Sequence, residues 1–249
     1  MCIRDSLYTA PWLIGFFVLT LYPIVYSFYL MFTDMNLTGV GKFIGLENLK
    51  YAFTDDPLFI KAFINTLKYV VMFVPSSIIL AFFVALLLSK KVKGLGFFRT
   101  AFYIPYITSG VAVTILWGWI YQKDYGIINY VLSLFGIKGV NWLGDKNIAM
   151  ISIVILSLWT IGNNIIIMLA GIQDIPQSYY ESAQIDGAGA IRQIFSITLP
   201  LCTPTIYFNL IVTIIAAFQV FQQPLILTNG GPLNSTYTAA IHMLSLIHI

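Results

Sequence analysis

Two sets of residues in this chain have types and spacings that could do chemistry. The first is Glu181-Ser182-Ala183-Gln184-Ile185-Asp186-Gly187-Ala188, followed by Ile197-Thr198-Leu199-Pro200, with long uncharged runs before and after it. Glu181 could pair with a partner's arginine, and Ala183 and Gly187 would let a second backbone come close. The second set is made of amides inside apolar runs: Asn163 and Asn164, then Gln219, Gln222 and Gln223. An amide both donates and accepts, as a hydroxyl-rich solute requires. Polar groups within a span turn toward a cavity or toward another helix, so a solute pathway and interhelical glue both stay open for these five.

Other chemistry is set aside by what the sequence lacks. There is no G-x-x-x-x-G-K-[ST] phosphate loop, since Gly41-Lys42 runs into Phe43, so any ATP must be hydrolysed by a partner. Neither H-E-x-x-H nor G-x-S-x-G occurs, and the two histidines, His242 and His248, do not converge with other ligands, which argues against an enzyme and against a metal centre. Cys2 and Cys202 form no disulfide framework or metal-ligand spacing. The net charge of +3 does not point to nucleic acid.

The elements that must position these residues sit in lipid. Hydrophobic residues make up 59% of the chain and charged residues 9%, against roughly 25% charged in a soluble domain. Uncharged runs cover Leu7 to Thr33, Tyr69 to Ser89, Thr100 to Gln122, Asn147 to Gln173, and Gln193 to the end. About 20 apolar residues rising ~1.5 Å each cross the ~30 Å hydrocarbon layer, so each of the first four runs supplies a span. The last run is interrupted by Thr228-Asn229-Gly230-Gly231-Pro232-Leu233-Asn234-Ser235, a patch that could not stay helical in lipid.

The expected fold is therefore an all-α polytopic membrane helix bundle with six spans, at about 8–33, 69–89, 100–122, 147–173, 203–227 and from 237 onward, with an exposed loop before the sixth. About a dozen residues remain for the sixth, reaching only ~18 Å, so it reads as truncated. Met1-Cys2-Ile3-Arg4-Asp5-Ser6 and Leu244-Ser245-Leu246-Ile247-His248-Ile249 read as non-native scars on one transmembrane domain, 7–243. A short re-entrant tail is the alternative for the latter. Pro75 and Pro105 are positioned to kink their helices, and Trp117, Trp119, Tyr121 and Trp142 fit interfacial anchors better than sugar-stacking platforms. Asn36-Leu37-Thr38 and Asn234-Ser235-Thr236 match a glycosylation sequon that is common by chance.

Lys90, Lys91, Lys93 and Arg99 crowd one short loop free of acids, which the positive-inside rule places in the cytoplasm. Raw lysine counts alone do not fix the orientation, because the 34–68 and 123–146 loops also carry several, mixed with acids. With the dense basic loop inside, those two loops lie outside and the 174–192 loop lies inside. There, Ile175-Pro176 ends the fourth span. Ser178 and Glu181 fit a capping box, and Gly187 suits a left-handed helix end, giving a surface helix from about Tyr179 to Asp186.

Glu181-Ser182-Ala183 with Asp186-Gly187-Ala188, then Phe195 and Leu199-Pro200, resembles the cytoplasmic "EAA" loop of the permease subunits of binding-protein-dependent ABC importers. Ser182 stands where that pattern usually has alanine, a nearly isosteric change. Asn65-Thr66-Leu67, Arg99 with Tyr103-Ile104-Pro105, Leu169-Ala170-Gly171 with Ile175-Pro176, and Gly230-Gly231-Pro232 look like the carbohydrate-importing branch, so the resemblance runs from about Tyr8 to Thr238.

The resemblance implies a permease of a prokaryotic inner (plasma) membrane with no cofactor of its own, carrying a sugar or related polyol. Its partners would be two cytoplasmic ATPase subunits, a second homologous permease and an extracytoplasmic solute-binding protein. Glu181, Ser182, Ala183, Asp186, Gly187, Ala188, Leu199 and Pro200 would then couple to the ATPase through the 174–200 loop. A channel or a secondary transporter, uncoupled from any ATPase, is the alternative. The secondary transporter is disfavoured because the spans hold no acid of the kind that handles protons.

Overall fold

The computed structural model describes residues 2–35, 39, 41–90 and 94–247. Met1, the Asn36-Leu37-Thr38 sequon, Lys91 to Lys93 of the basic loop, and His248 with Ile249 lie outside the described residues. The chain parts into two compact units, Met1–Ile60 and Lys61–Ile249.

In the first unit, α1 (Cys2–Gly15) continues through one π-helical turn, Phe16–Leu21, into α2 (Tyr22–Leu30). Tyr8–Leu30 is long and apolar enough to cross a membrane. Two short strands, β1 (Thr33–Asp34) and β2 (Lys42–Phe43), pair antiparallel with Thr33 opposite Phe43, and α3 (Glu47–Thr54) follows. The next helix, α4 (Pro57–Ser89), starts sharply. Asp56 Oδ1 accepts the N–H groups of Leu58 and Phe59 at 2.8 and 3.1 Å, and Pro57 occupies the first turn, where its missing N–H costs nothing. Its apolar length lets α4 cross in one piece, and Pro75 does not interrupt it.

The remaining runs are broken. The third, expected as one span over 100–122, is α5 (Leu95–Ile107) and α6 (Gly110–Ile120), bent by 98°. Pro105 removes a ladder bond in the last turn of α5, and Thr108 and Ser109 adopt extended ψ values of 147° and 122°. After the short α7 (Ile127–Leu134), the fourth run is α8 (Ala149–Trp159) and α9 (Gly162–Gln173), bent by 50°. Gly162 lets α9 press on α5, since a Cβ there would meet Phe102 O at 2.5 Å. The chain then forms α10 (Gln177–Ile185), α11 (Ala190–Gln193), a π-helical turn at Ile194–Thr198, α12 (Leu199–Leu201) and α13 (Thr203–Phe218), with a 66° bend at Cys202 between Pro200 and Pro204.

The fifth span was expected to be continuous over 203–227, but α13 stops at Phe218 and α14 (Gln222–Thr228) follows separately. Pro224 is the cause. It has no N–H for the Val220 carbonyl, and in a continuous helix its ring would crowd that oxygen. Val220 O is met instead by Thr238 Oγ1 at 2.9 Å. α15 (Ala239–Ile247) completes the described residues.

The loop expected to be exposed over 228–235 is half-buried for the most part, with Asn229 and Leu233 exposed, and it is tied to α4 by hydrogen bonds. Lys61 Nζ donates to Leu233 O at 2.6 Å, and Asn65 Nδ2 donates to Asn234 O and Tyr237 O at 2.8 and 3.1 Å. Ala239 N–H donates to Thr66 Oγ1 at 2.9 Å, and Thr228 and Thr236 share a hydroxyl contact of 2.6 Å. A turn drawn partly out of water needs its backbone groups satisfied, and side chains in the early turns of α4 meet several of them.

α4 is the shaft of the second unit. Its C-terminal half (Ala81, Phe82, Val84, Ala85, Leu88) packs with Ile161, Ile165, Met168, Leu169 and Ile172 of the α8–α9 break and α9. Toward its start, Tyr69 and Val74 pack with Met150, Ile153 and Val154 of α8 and with Ala217 of α13.

Candidate functional site

α10 is held at one end of the second unit by its own sequence. Proline at 176 is itself the N-cap, with φ −57° and ψ 132°, so the helix starts at Gln177 and Ser178 lies inside its first turn. The capping box expected from Ser178 and Glu181 is therefore not formed, and no side chain caps this end. The other end is as expected. Gly187 takes φ +75°, its N–H donates to Gln184 O at 3.0 Å, and the Ala188 N–H donates to Ala183 O at 2.8 Å. These are the two bonds of a Schellman motif, and the left-handed residue they need is cheapest as glycine.

Helical spacing divides α10 into two faces. Gln177, Tyr180 and Gln184 share one face and line an open cavity with the ends of α4 and α9, Tyr180 half-buried and the two glutamines exposed. Tyr180 Oη and Thr198 Oγ1 lie 3.0 Å apart, and Gln193 Nε2 donates to Ala188 O at 2.8 Å, so α10 is fastened to the segment that follows it. Ser178, Glu181, Ser182 and Ile185 point outward. Glu181, Ser182, Asp186 and Gly187 are exposed, Ala183 and Ala188 are half-buried, and Tyr179 and Ile185 are 54% and 88% exposed. Leu199 is half-buried and Pro200 exposed, beyond the π-helical turn. The result is a braced ledge presenting two carboxylates and two apolar side chains outward.

The in-span amides do not gather into one site. Asn164 Nδ2 donates to Thr213 Oγ1 at 2.9 Å, Asn209 Nδ2 donates to Asn164 O at 3.0 Å, and Thr213 Oγ1 donates to Asn209 O at 2.6 Å. This closed triangle clasps α9 to α13. Asn163, one residue away, is half-buried. Gln219 is exposed at the α13–α14 break, while Gln222 and Gln223 are half-buried at the start of α14, which packs on α6 and α8. A Cβ on Gly110 would lie 2.9 Å from Gln222 Oε1, so that amide sits against the α5–α6 break.

The roles of Asn209 and Thr213 in the clasp, and the contact between Tyr180 and Thr198, were not anticipated, because each depends on a partner well removed in sequence. Trp142 proves to be a loop staple, donating its indole N–H to Asn129 Oδ1 at 2.9 Å, while Asn129 also bonds Lys123 O and Val140 O.

Residues 57–246 match the family described as "Binding-protein-dependent transport system inner membrane component". The chain is 38% identical over 240 residues to the probable ABC transporter permease protein YesP of Bacillus subtilis (strain 168), covering 95% of this chain and 77% of that one. It is 34% identical over 235 residues to the arabinooligosaccharides transport system permease protein AraP of the same organism, covering 92% and 73%. Among solved structures it is similar to a chain in the crystal structure of a bacterial alginate ABC transporter in complex with an alginate pentasaccharide-bound periplasmic protein. The TM-score there is 0.77 at 26% identity, over 98% of this chain and 83% of that one.

Proposed function

We propose, from the premise that this chain belongs to the family of binding-protein-dependent transport system inner membrane components, that α10 is the element through which a cytoplasmic ATPase drives its transmembrane helices. The chain is an all-helical, multi-pass permease subunit of an ABC importer in the inner membrane, and it is not an enzyme. In our reading Glu181, Ser182, Ala183, Asp186, Gly187, Ala188, Leu199 and Pro200 form the contact. Two ATPase subunits, a second homologous permease and a solute-binding protein complete the assembly. The six-span arrangement takes Tyr8–Leu30, α4 and the three bent pairs as its first five spans, with α14 closing the fifth, and α15 as the start of the sixth.

One observation carries this reading. α10 is tied down on its inner face and exposes Tyr179, Glu181, Ile185 and Asp186 on its outer one. Exposed apolar side chains beside carboxylates, on a short helix that cannot swing freely, suit a rigid protein contact better than water or lipid. A rigid ledge also transmits displacement, because Tyr180 and Thr198 link it to the start of the α12–α13 arm.

The cargo we infer is a carbohydrate, of the kind named for the arabinooligosaccharide permease AraP. Asn163, Gln219, Gln222 and Gln223 stand at or beside helix breaks, where side-chain amides can reach a pathway between helices. Asn164 serves mainly to hold those breaks in place.

The test is transport by the assembled complex in proteoliposomes. Labelled arabinooligosaccharide should accumulate only when both ATP and the solute-binding protein are supplied. Equilibration without ATP would point to a channel instead.

A further inference from the structure

Behind α10 lies a cavity of about 530 Å3 walled by the ends of α4 and α9, the start of α5, and the inner sides of α10 and α11. Arg99 and Lys90 both line it, together with the side chains of Gln173, Gln177, Gln184 and Tyr180, and no aspartate or glutamate is among the lining residues. Two cations surrounded by neutral hydrogen-bonding groups, with no carboxylate to balance them, make a basin of positive potential.

Arg99 is the informative member. Its Nε is buried and has no hydrogen-bond partner among the described residues, and its Nη2 reaches Leu88 O only at 3.4 Å, beyond the usual range for such a bond. Leaving a buried guanidinium donor unmet is costly, and its planar fork fits a tetrahedral oxyanion well.

We propose that this cavity binds a phosphate-class oxyanion, gripped by the Arg99 fork and the Lys90 ammonium, and that the occupant braces α10 against the ends of α4 and α5. The binding half stands independently of the coupling assignment, and only the bracing half rests on it. The anion is either the phosphodiester of an anionic lipid headgroup or a soluble phosphate.

The experiment is thermal unfolding of the full chain, purified in detergent and titrated with short-chain phosphatidylglycerol, with inorganic phosphate, and with short-chain phosphatidylcholine as the zwitterionic control. The midpoint of the native chain should rise saturably with phosphatidylglycerol, phosphate or both, and apparent affinity should fall about tenfold or more in Arg99→Gln and in Lys90→Gln. A response to phosphatidylglycerol alone assigns the oxyanion to the lipid, whereas a response to inorganic phosphate assigns it to the soluble phase. No response of the native chain to either, a response no larger than that to phosphatidylcholine, or unchanged affinity in the variants overturns the proposal. If Arg99→Gln lowers the midpoint without ligand but leaves affinity unchanged, Arg99 merely caps the end of α4 and the site does not exist. Lys90 is exposed, so Lys90→Gln keeps the test decisive even if Arg99→Gln misfolds. No ATPase is present in the assay, so failure of the coupling reading would leave this result untouched.

Discussion

Gly187 has φ +75°, a conformation that costs a residue bearing a Cβ about 1 to 2 kcal/mol. Gly187→Ala should therefore weaken the two bonds that close α10, and the amides of Gly187 and Ala188 should exchange with deuterium roughly fivefold faster or more. Unchanged exchange there would mean the motif is not held in solution. Asn209 tests a different kind of residue. Asn209→Leu keeps the volume but removes the donor to Asn164 O, and in-membrane bonds of this sort contribute about 0.6 to 1.7 kcal/mol. The unfolding midpoint should drop correspondingly, and a midpoint at or above the native value would contradict the clasp. These residues differ in how far the sequence announced them. Gly187 was legible because its requirement is set by its immediate neighbours. The Asn209 clasp was not, because its partners belong to another helix. The capping box was misread because Pro176, with its fixed φ, already occupied the cap position.

At the scale of elements, composition marked the apolar runs, since hydropathy reports the solvent a segment meets. It could not mark the bends of 98°, 50° and 66°, because a bent helix is as apolar as a straight one. Proline gave only partial warning: Pro75 lies within an unbroken α4, whereas Pro224 accompanies the end of α13, where the Val220 carbonyl takes a donor from outside the helix. Thr238 supplies that donor to Val220 O from a fully buried position. Thr238→Val is nearly isosteric and should cost about 1 to 3 kcal/mol by leaving that carbonyl unmet, while Thr238→Ser should recover most of it. Equal midpoints for the valine and serine variants would show that the hydroxyl does not hold this break. The 228–235 loop is less open than its composition suggested, for a related reason: Lys61, Asn65 and Thr66 supply some of the hydrogen bonds water would have made to it and to the residues that follow.

Across the whole molecule, the second unit carries polar constructions at both ends of an apolar shaft. One end has the half-buried 228–235 loop against the start of α4. The other has α10, its cavity and the basic start of α5. The membrane class followed from composition, and the position of α10 followed from one short polar segment between apolar runs. The central claim is that the outer face of α10 seats an ATPase, and co-purification of the ATPase from membranes tests it most directly, comparing the native chain with Glu181→Lys combined with Gly187→Pro. Proline cannot adopt φ +75°, and reversing a desolvated charge at such a contact costs about 2 to 5 kcal/mol, enough to lose the complex on washing. The account predicts that the native chain retains the ATPase and that the variant inserts normally but releases it. Equal retention by both would contradict the account.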